Sequence, residues 1–167
     1  MKSCVIIAIG SAFAWPTNSL EGSSVTINSP VNFQHWAGLN QEQADDKIKS
    51  VVKYMMNYKE DYVSFIYVTT FYPSTKFNLE KAAEGNINGM LSNVYWSNAR
   101  ITEKKMVIVC GVKGISYDIN GLFGGKPAQS TTLAFQKGNI WYIFTNTFGT
   151  ANSENKITSA RMLESIK

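Results

Sequence analysis

Residues 94–148 constrain the fold more than any other part of the chain. Apolar runs alternate there with short polar or glycine-containing segments. Strands joined by short turns must pair antiparallel, because a parallel pair needs a crossover of about a dozen residues or more. We predict strands at residues 94–102, 106–112, 115–119, 129–136 and 140–148, with turns at 103–105, 113–114, 120–121 and 137–139 and a loop at 121–128.

Three segments have the spacing of amphipathic helices. Residues 41–58 carry apolar side chains at intervals of three and four positions, and Asn40 precedes them as a potential N-cap. Residues 79–92 show the same spacing behind Asn78. A final helix is predicted to begin at the cap residue Ser153.

Two further strands precede the antiparallel region. Residues 25–28 form a short candidate, and residues 62–72 are almost wholly β-branched or aromatic until Pro73 ends the run. One face of such a sheet needs covering, and the predicted helices can supply the cover. The predicted fold class is therefore α+β, with an antiparallel β-sheet of about six strands flanked by three helices.

The order of these elements resembles that of the PsbP-like family of secreted and lumenal domains. The resemblance spans about residues 25–167 and rests on the sequence strand, helix, strand, helix, four or five antiparallel strands, helix. It implies an antiparallel sheet sandwiched by helices and a non-enzymatic accessory or binding role. No site residue is transferred from the family, since no motif is shared.

The first fourteen residues have the composition of a secretory signal. Lys2 supplies a positive charge, residues 4–9 are apolar, and Ala12 and Ala14 offer a cleavage site. The apolar run is too short for a membrane-spanning helix, which needs about 20 residues. We therefore expect a periplasmic or secreted protein, the alternative being that residues 4–9 form a buried first strand.

The domain organisation follows from this interpretation. Residues 1–14 are the expected signal peptide, residues 15–24 a flexible leader, and residues 25–167 a single α+β domain. Removal of the signal leaves Cys110 without a disulfide partner, and no glycosylation sequon is present. Both features fit a bacterial protein better than a eukaryotic secreted one.

Charge and motif patterns exclude several function classes. The net charge is only +4 and the lysines are scattered, so no nucleic-acid partner is expected. The sequence 121–127 departs from a phosphate-binding loop because Pro127 replaces the hydroxyl residue. Neither a cofactor nor a metal ion is predicted, since no cluster of histidine, cysteine and carboxylate residues has ligand spacing.

Few residues are candidates for catalysis. His35 is the sole histidine, and Cys110 is predicted to be buried as a small hydrophobe within an apolar strand. No catalytic residue is assigned. A small secreted hydrolase that uses His35 or Asp118 stays open as an alternative function.

Binding is the expected function, with a protein or a small ligand as partner. The loop at residues 121–126, with the glycine-flanked pair Leu122 and Phe123 followed by Lys126, is predicted to be the most exposed apolar feature and a contact site. Trp36 is a further candidate. Two large apolar side chains at such a tip also suit peripheral membrane contact. A membrane-surface accessory protein is therefore the other alternative.

Overall fold

The structure is a computed structural model that describes residues 14–36 and 47–167. The described residues form nine strands and two helices. In chain order these are β1 (Thr17–Ser19), β2 (Thr26–Asn28), β3 (Gln34–His35), β4 (Ile48–Asn57), β5 (Tyr62–Phe71), α1 (Leu79–Leu91), β6 (Trp96–Val109), β7 (Val112–Phe123), β8 (Lys126–Lys137), β9 (Ile140–Gly149) and α2 (Ser153–Glu164). The signal prediction for residues 1–14 lies outside the described residues except at Ala14.

Seven strands form one sheet in the order β3-β4-β5-β9-β8-β7-β6, and β1 and β2 form a separate hairpin. Every described pair is antiparallel, and this confirms the prediction for the consecutive strands β6 to β9 that short turns join. The α+β class is confirmed. The predicted counts are wrong, because the described part has more strands and fewer helices than expected.

The predicted helix over residues 41–58 accounts for most of this difference. Its described portion from Ile48 is strand β4, which pairs with β5 along nearly its whole length. Tyr54 and Met56 alternate into the core, so the apolar residues fit a period of two as well as a period of 3.6. The long apolar strand β5 needs a partner on this side, and that tertiary requirement decides between the two periods.

The antiparallel region contains longer strands than the sequence predicted. The turns lie at Cys110–Gly111 and Gly124–Gly125, where all four residues have positive φ, and the predicted turns at 103–105, 113–114 and 120–121 are wrong. Gly121 is needed inside β7, because a Cβ there would lie 2.9 Å from the Cα of Ala99. It marks a close approach of two strands rather than a turn.

The sheet is covered on both faces. Helix α2 and the β1–β2 hairpin cover one face, where the core includes Ile27, Ile66, Phe135, Phe144 and Met162. Helix α1 covers part of the opposite face, packing Ala83 and Ile87 against Ile115, Tyr117 and Ile119. Strand β1 and the buried Leu20 fall within residues 15–24, for which we expected a flexible leader.

Both helices begin at asparagine caps. The side chain of Asn78 accepts a hydrogen bond from the Lys81 amide, as predicted. The second helix starts at Ser153 and is capped by Asn152, one residue earlier than expected. Neither described helix is long and apolar enough to cross a membrane.

Candidate functional site

Three connections meet at one end of the seven-stranded sheet. They are the β4–β5 turn, the β7–β8 turn and the segment between β9 and α2. The antiparallel registers bring them together, since Tyr62 pairs with Phe148 and Ala128 pairs with Gly149. The end cleft that they enclose has a volume of about 1040 Å³, and its lining includes Asp61, Val63, Phe123, Lys126, Thr147 and Phe148.

A hydrogen-bond network fixes the wall formed by the β4–β5 turn. The Gly149 amide donates to the Asp61 carbonyl oxygen at 2.8 Å. The side-chain amide of Asn155 donates to Asp61 Oδ2 at 3.0 Å and to the Gly149 carbonyl at 3.3 Å. Asn155 is fully buried, so this arrangement ties the turn, the end of β9 and helix α2 into one unit.

Phe123 supplies an aromatic wall on the opposite side of the cleft. Its ring centroid lies 5.3 Å from that of the buried Trp96 and 6.0 Å from that of Tyr95. The ring is half-buried, and Phe123 is the last residue of β7 rather than part of a loop. The prediction that residues 121–126 are the most exposed apolar feature is therefore wrong, since Val94 is 90% and Ile108 is 71% exposed.

The charged groups of the cleft differ in how they are paired. Lys59 Nζ donates a hydrogen bond to Glu154 Oε2 at 3.0 Å, and this contact raises the pKa of Lys59. Lys126, the first residue of β8, is exposed and has no ion-pair partner among the described residues. The ammonium group of Lys126 is thus available to an anion in the cleft.

The apolar base of the cleft includes Tyr62, stacked on Phe148 with ring centroids 5.7 Å apart. The Tyr62 hydroxyl donates to the Met162 sulfur at 3.4 Å, beneath helix α2. Burial raises the pKa of Tyr62, so the hydroxyl stays neutral at physiological pH.

The structure brings only two of the four predicted contact residues into the cleft. Phe123 and Lys126 line it. Leu122 pairs with Pro127 across the β7–β8 hairpin but is not part of the lining. Trp36 is half-buried against Phe65, with ring centroids 5.3 Å apart, and lies beside strands β4 and β5 outside the cleft.

The candidate catalytic residues are separated from one another and from the cleft. His35 on β3 lies 3.8 Å from a Glu21 carboxylate oxygen, while Asp118 on β7 accepts a hydrogen bond from Gln129 at 3.0 Å. Their strands are five positions apart in the sheet, which corresponds to about 24 Å measured along the curved sheet. Within the described residues, no three histidine, cysteine, aspartate or glutamate side chains form a metal-binding group.

Cys110 was predicted to lie within a strand, but it does not. It occupies the β6–β7 turn with a φ of 50° and is half-buried at the margin of the core. Sequence reasoning also missed the contributions of Asp61, Val63 and Thr147 to the cleft. The Glu60-Asp61 pair directly before the predicted strand at residues 62–72 was the only signal there. The wrong helix over residues 41–58 concealed that the pair lies in a turn between two paired strands.

Comparison with solved structures shows a similar fold in another protein. The solution structure of cyanobacterial PsbP from Synechocystis sp. PCC 6803 is similar with a TM-score of 0.63 and 11% identity, covering 100% of this chain and 98% of that one. A crystal structure described as a putative regulator from Pseudomonas aeruginosa gives a TM-score of 0.48 and 8% identity, covering 88% of this chain and 91% of that one. No family model and no curated protein matches the sequence. The resemblance to the PsbP-like family is confirmed at the level of the fold.

Proposed function

We propose that the protein is a non-enzymatic binding domain and that the end cleft holds an apolar group carrying a negative charge. This proposal rests on one observation: the aromatic ring of Phe123 and the cation Lys126, which has no ion-pair partner among the described residues, line the same cleft of about 1040 Å³. Small-molecule sites are typically concave, mostly apolar and equipped with a few polar groups that orient the ligand.

The two residues would recognise different parts of the ligand. A planar group can pack on the Phe123 ring and the Val63 side chain, while a carboxylate pairs with Lys126. The carboxylate of Asp61 is already occupied by Asn155 on one oxygen. A small aromatic acid or the acidic and aromatic side chains of a protein partner would satisfy this chemistry.

Binding is favoured over hydrolysis by the placement of the candidate catalytic groups. Neither His35 nor Asp118 lines the cleft, and each is engaged with a different neighbour. A general base must reach the proton that it abstracts, within about 3 Å or through one water. The titratable side chains that line the cleft include Lys59, Asp61 and Tyr62. Each of these three is engaged in a structural contact, with Glu154, Asn155 and Met162 respectively.

The test is a titration of ¹⁵N-labelled protein with naphthalene-2-carboxylate, followed by amide chemical shifts. We expect the largest shifts at Val63, Phe123 and Thr147. Lys126→Glu should weaken binding about fivefold, the upper range for an exposed ion pair. Lys137→Glu, at the other end of the same strand, is the matched control and should leave affinity unchanged. Shifts confined to residues outside the cleft, or equal affinity in both variants, would refute the proposal.

Peripheral membrane contact is a second candidate, favoured by the exposed apolar residues beside the cleft. Val94 is 90% and Tyr95 is 64% exposed, and the Tyr95 carbonyl accepts a hydrogen bond from the Gly124 amide. We expect co-sedimentation with phosphatidylglycerol vesicles that Tyr95→Ser abolishes. No sedimentation of the unmodified protein would remove this candidate.

We also propose that the protein acts in the periplasm or is secreted, supported by Lys2, the apolar residues 4–9 and the Ala12-Phe13-Ala14 sequence. N-terminal sequencing of exported protein should begin near Trp15. An intact Met1 would contradict this.

A further inference from the structure

Strand β6 forms one edge of the seven-stranded sheet. It pairs only with β7 among the described strands, and its register is regular from Glu103 to Val109 after two bulges near its start. An edge of this kind presents a row of backbone groups to a further strand. The regular part is long enough for such pairing, because strands in proteins are commonly about five or six residues long.

The turn geometry identifies the outward-facing backbone groups. A two-residue turn at Cys110–Gly111 makes Val109 and Val112 a hydrogen-bonded pair. Hydrogen-bonded and non-hydrogen-bonded pairs alternate along an antiparallel ladder. The N–H and C=O groups of Lys104, Met106 and Ile108 therefore point away from β7.

The side chains along this edge provide an apolar binding surface. Met106 is 56% and Ile108 is 71% exposed. A shallow cavity of about 270 Å³ is lined by these two residues together with Val107 and Lys113. An apolar side chain of an added strand would bind in this cavity, directly beside the outward-facing backbone groups.

The charges on the edge select the kind of strand. Lys104, Lys105 and Lys113 are exposed, and the nearby acid Glu103 is bound to Lys105 at 3.1 Å. A second copy of β6 would bring the same cations to the edge, whereas acidic side chains would face opposite charges. We propose that an extended segment of a partner protein, with apolar residues followed by acidic ones, adds to β6 as an eighth strand of the sheet.

The probe is the fluorescein-labelled peptide TVTIEET, written to pair antiparallel with residues 103–109. Its valine and isoleucine would face Ile108 and Met106, and its glutamates would face Lys105 and Lys104. The sign-reversed peptide TVTIKKT is the control. We expect the acidic peptide to bind at least about fivefold more tightly by fluorescence anisotropy, as expected for two exposed ion pairs. Its binding should slow the exchange of the Lys104, Met106 and Ile108 amides.

A backbone variant separates strand addition from simple charge attraction. Met106→Pro removes one outward N–H without removing a bond to β7, which an edge strand tolerates. It should weaken binding of TVTIEET about tenfold or more, whereas Met106→Val, which keeps the N–H, should bind nearly as the unmodified protein does. Lys104→Glu changes no backbone group and should reduce the ratio of the affinities for TVTIEET and TVTIKKT. This second variant keeps the proposal testable if the proline variant does not fold.

Several results would overturn the proposal. They are equal binding of the two peptides, no binding of TVTIEET, or the same affinity for the folded proline and valine variants. Concentration-dependent dimerisation that protects the same amides without peptide would instead assign the edge to a second copy. None of these outcomes depends on the end cleft, so the two proposals fail or stand separately.

Discussion

Replacement of Gly149 by alanine is expected to lower the free energy of unfolding by about 1–3 kcal/mol. A Cβ atom at this position would lie 2.6 Å from Asp61 Oδ2 and 3.2 Å from Asp61 Cβ. The aspartate must therefore move, and its 3.0 Å hydrogen bond with Asn155 is lost or lengthened. Because Asn155 is fully buried, its amide cannot be compensated by bulk water. The lost hydrogen bond to the Asp61 carboxylate sets the estimated magnitude, while the carbonyl of residue 149 remains as a second acceptor for the amide.

Thermal unfolding measures this effect. For a chain of this size, about 1 kcal/mol corresponds to a change of about 2–4 °C in Tm, so Gly149→Ala should lower Tm by about 2–12 °C. Gly85→Ala is the matched control, because no atom lies within 4 Å of its added Cβ and helix α1 favours alanine. The control should raise Tm slightly.

A double-mutant cycle identifies the mechanism. Gly149→Ala and Asn155→Ala should destabilise by less together than the sum of their separate effects, because both act on the same hydrogen bonds. Additive losses would show that the added methyl group acts elsewhere. An unchanged Tm for Gly149→Ala would refute the reasoning that the turn, β9 and α2 form one rigid wall.

Three further outcomes are expected. Phe123→Ser should lower the free energy of unfolding by about 1–2 kcal/mol in urea denaturation, because the ring packs on Trp96. The same variant should no longer bind naphthalene-2-carboxylate. An unchanged free energy of unfolding would show that the ring contributes little to the core. Cys110→Gly should raise Tm by a few degrees, since the positive φ of this turn destabilises other residues by about 1 kcal/mol but not glycine. A lower Tm would contradict that account. Stability should decrease as the pH rises above about 10, because burial raises the pKa of both Tyr62 and Tyr117, so that deprotonation favours the unfolded chain. Tyr62→Phe should reduce this dependence between pH 9 and 11, and an unchanged slope would exclude Tyr62 as its source.

The elements that were predicted well have local signals that agree with their tertiary surroundings. Strand β5 is a dense β-branched and aromatic run that ends just before Pro73, and helix α1 begins directly after its asparagine cap. Strand β4 lacked such agreement. Its apolar residues suit either a helix or a strand, and only the partner strand β5 resolves the ambiguity.

Charged and glycine residues misled the prediction of turns in β6 and β7. Lys104 and Lys105 lie on an edge strand, where charged side chains remain in water without ending the strand. Gly121 lies in β7 because a neighbouring backbone approaches it closely. A sequence shows the absence of a side chain but not whether a turn or a close approach requires it.

The end cleft could be predicted only in part. Its residues come from three connections that are distant in the sequence, and the register of the sheet brings those connections together. The prediction selected Phe123 and Lys126 from one of these connections. It could not identify Val63 or Thr147, because their positions beside the cleft follow from the pairing of β5 with β9.

The most direct test of the central claim is the measurement of intermolecular nuclear Overhauser effects between the protein and bound naphthalene-2-carboxylate. The account predicts contacts from the naphthalene protons to the Phe123 ring and to the methyl groups of Val63 and Thr147, all of which line the end cleft. Contacts only to residues outside the cleft, such as Met106 and Ile108 on the sheet edge, would contradict it.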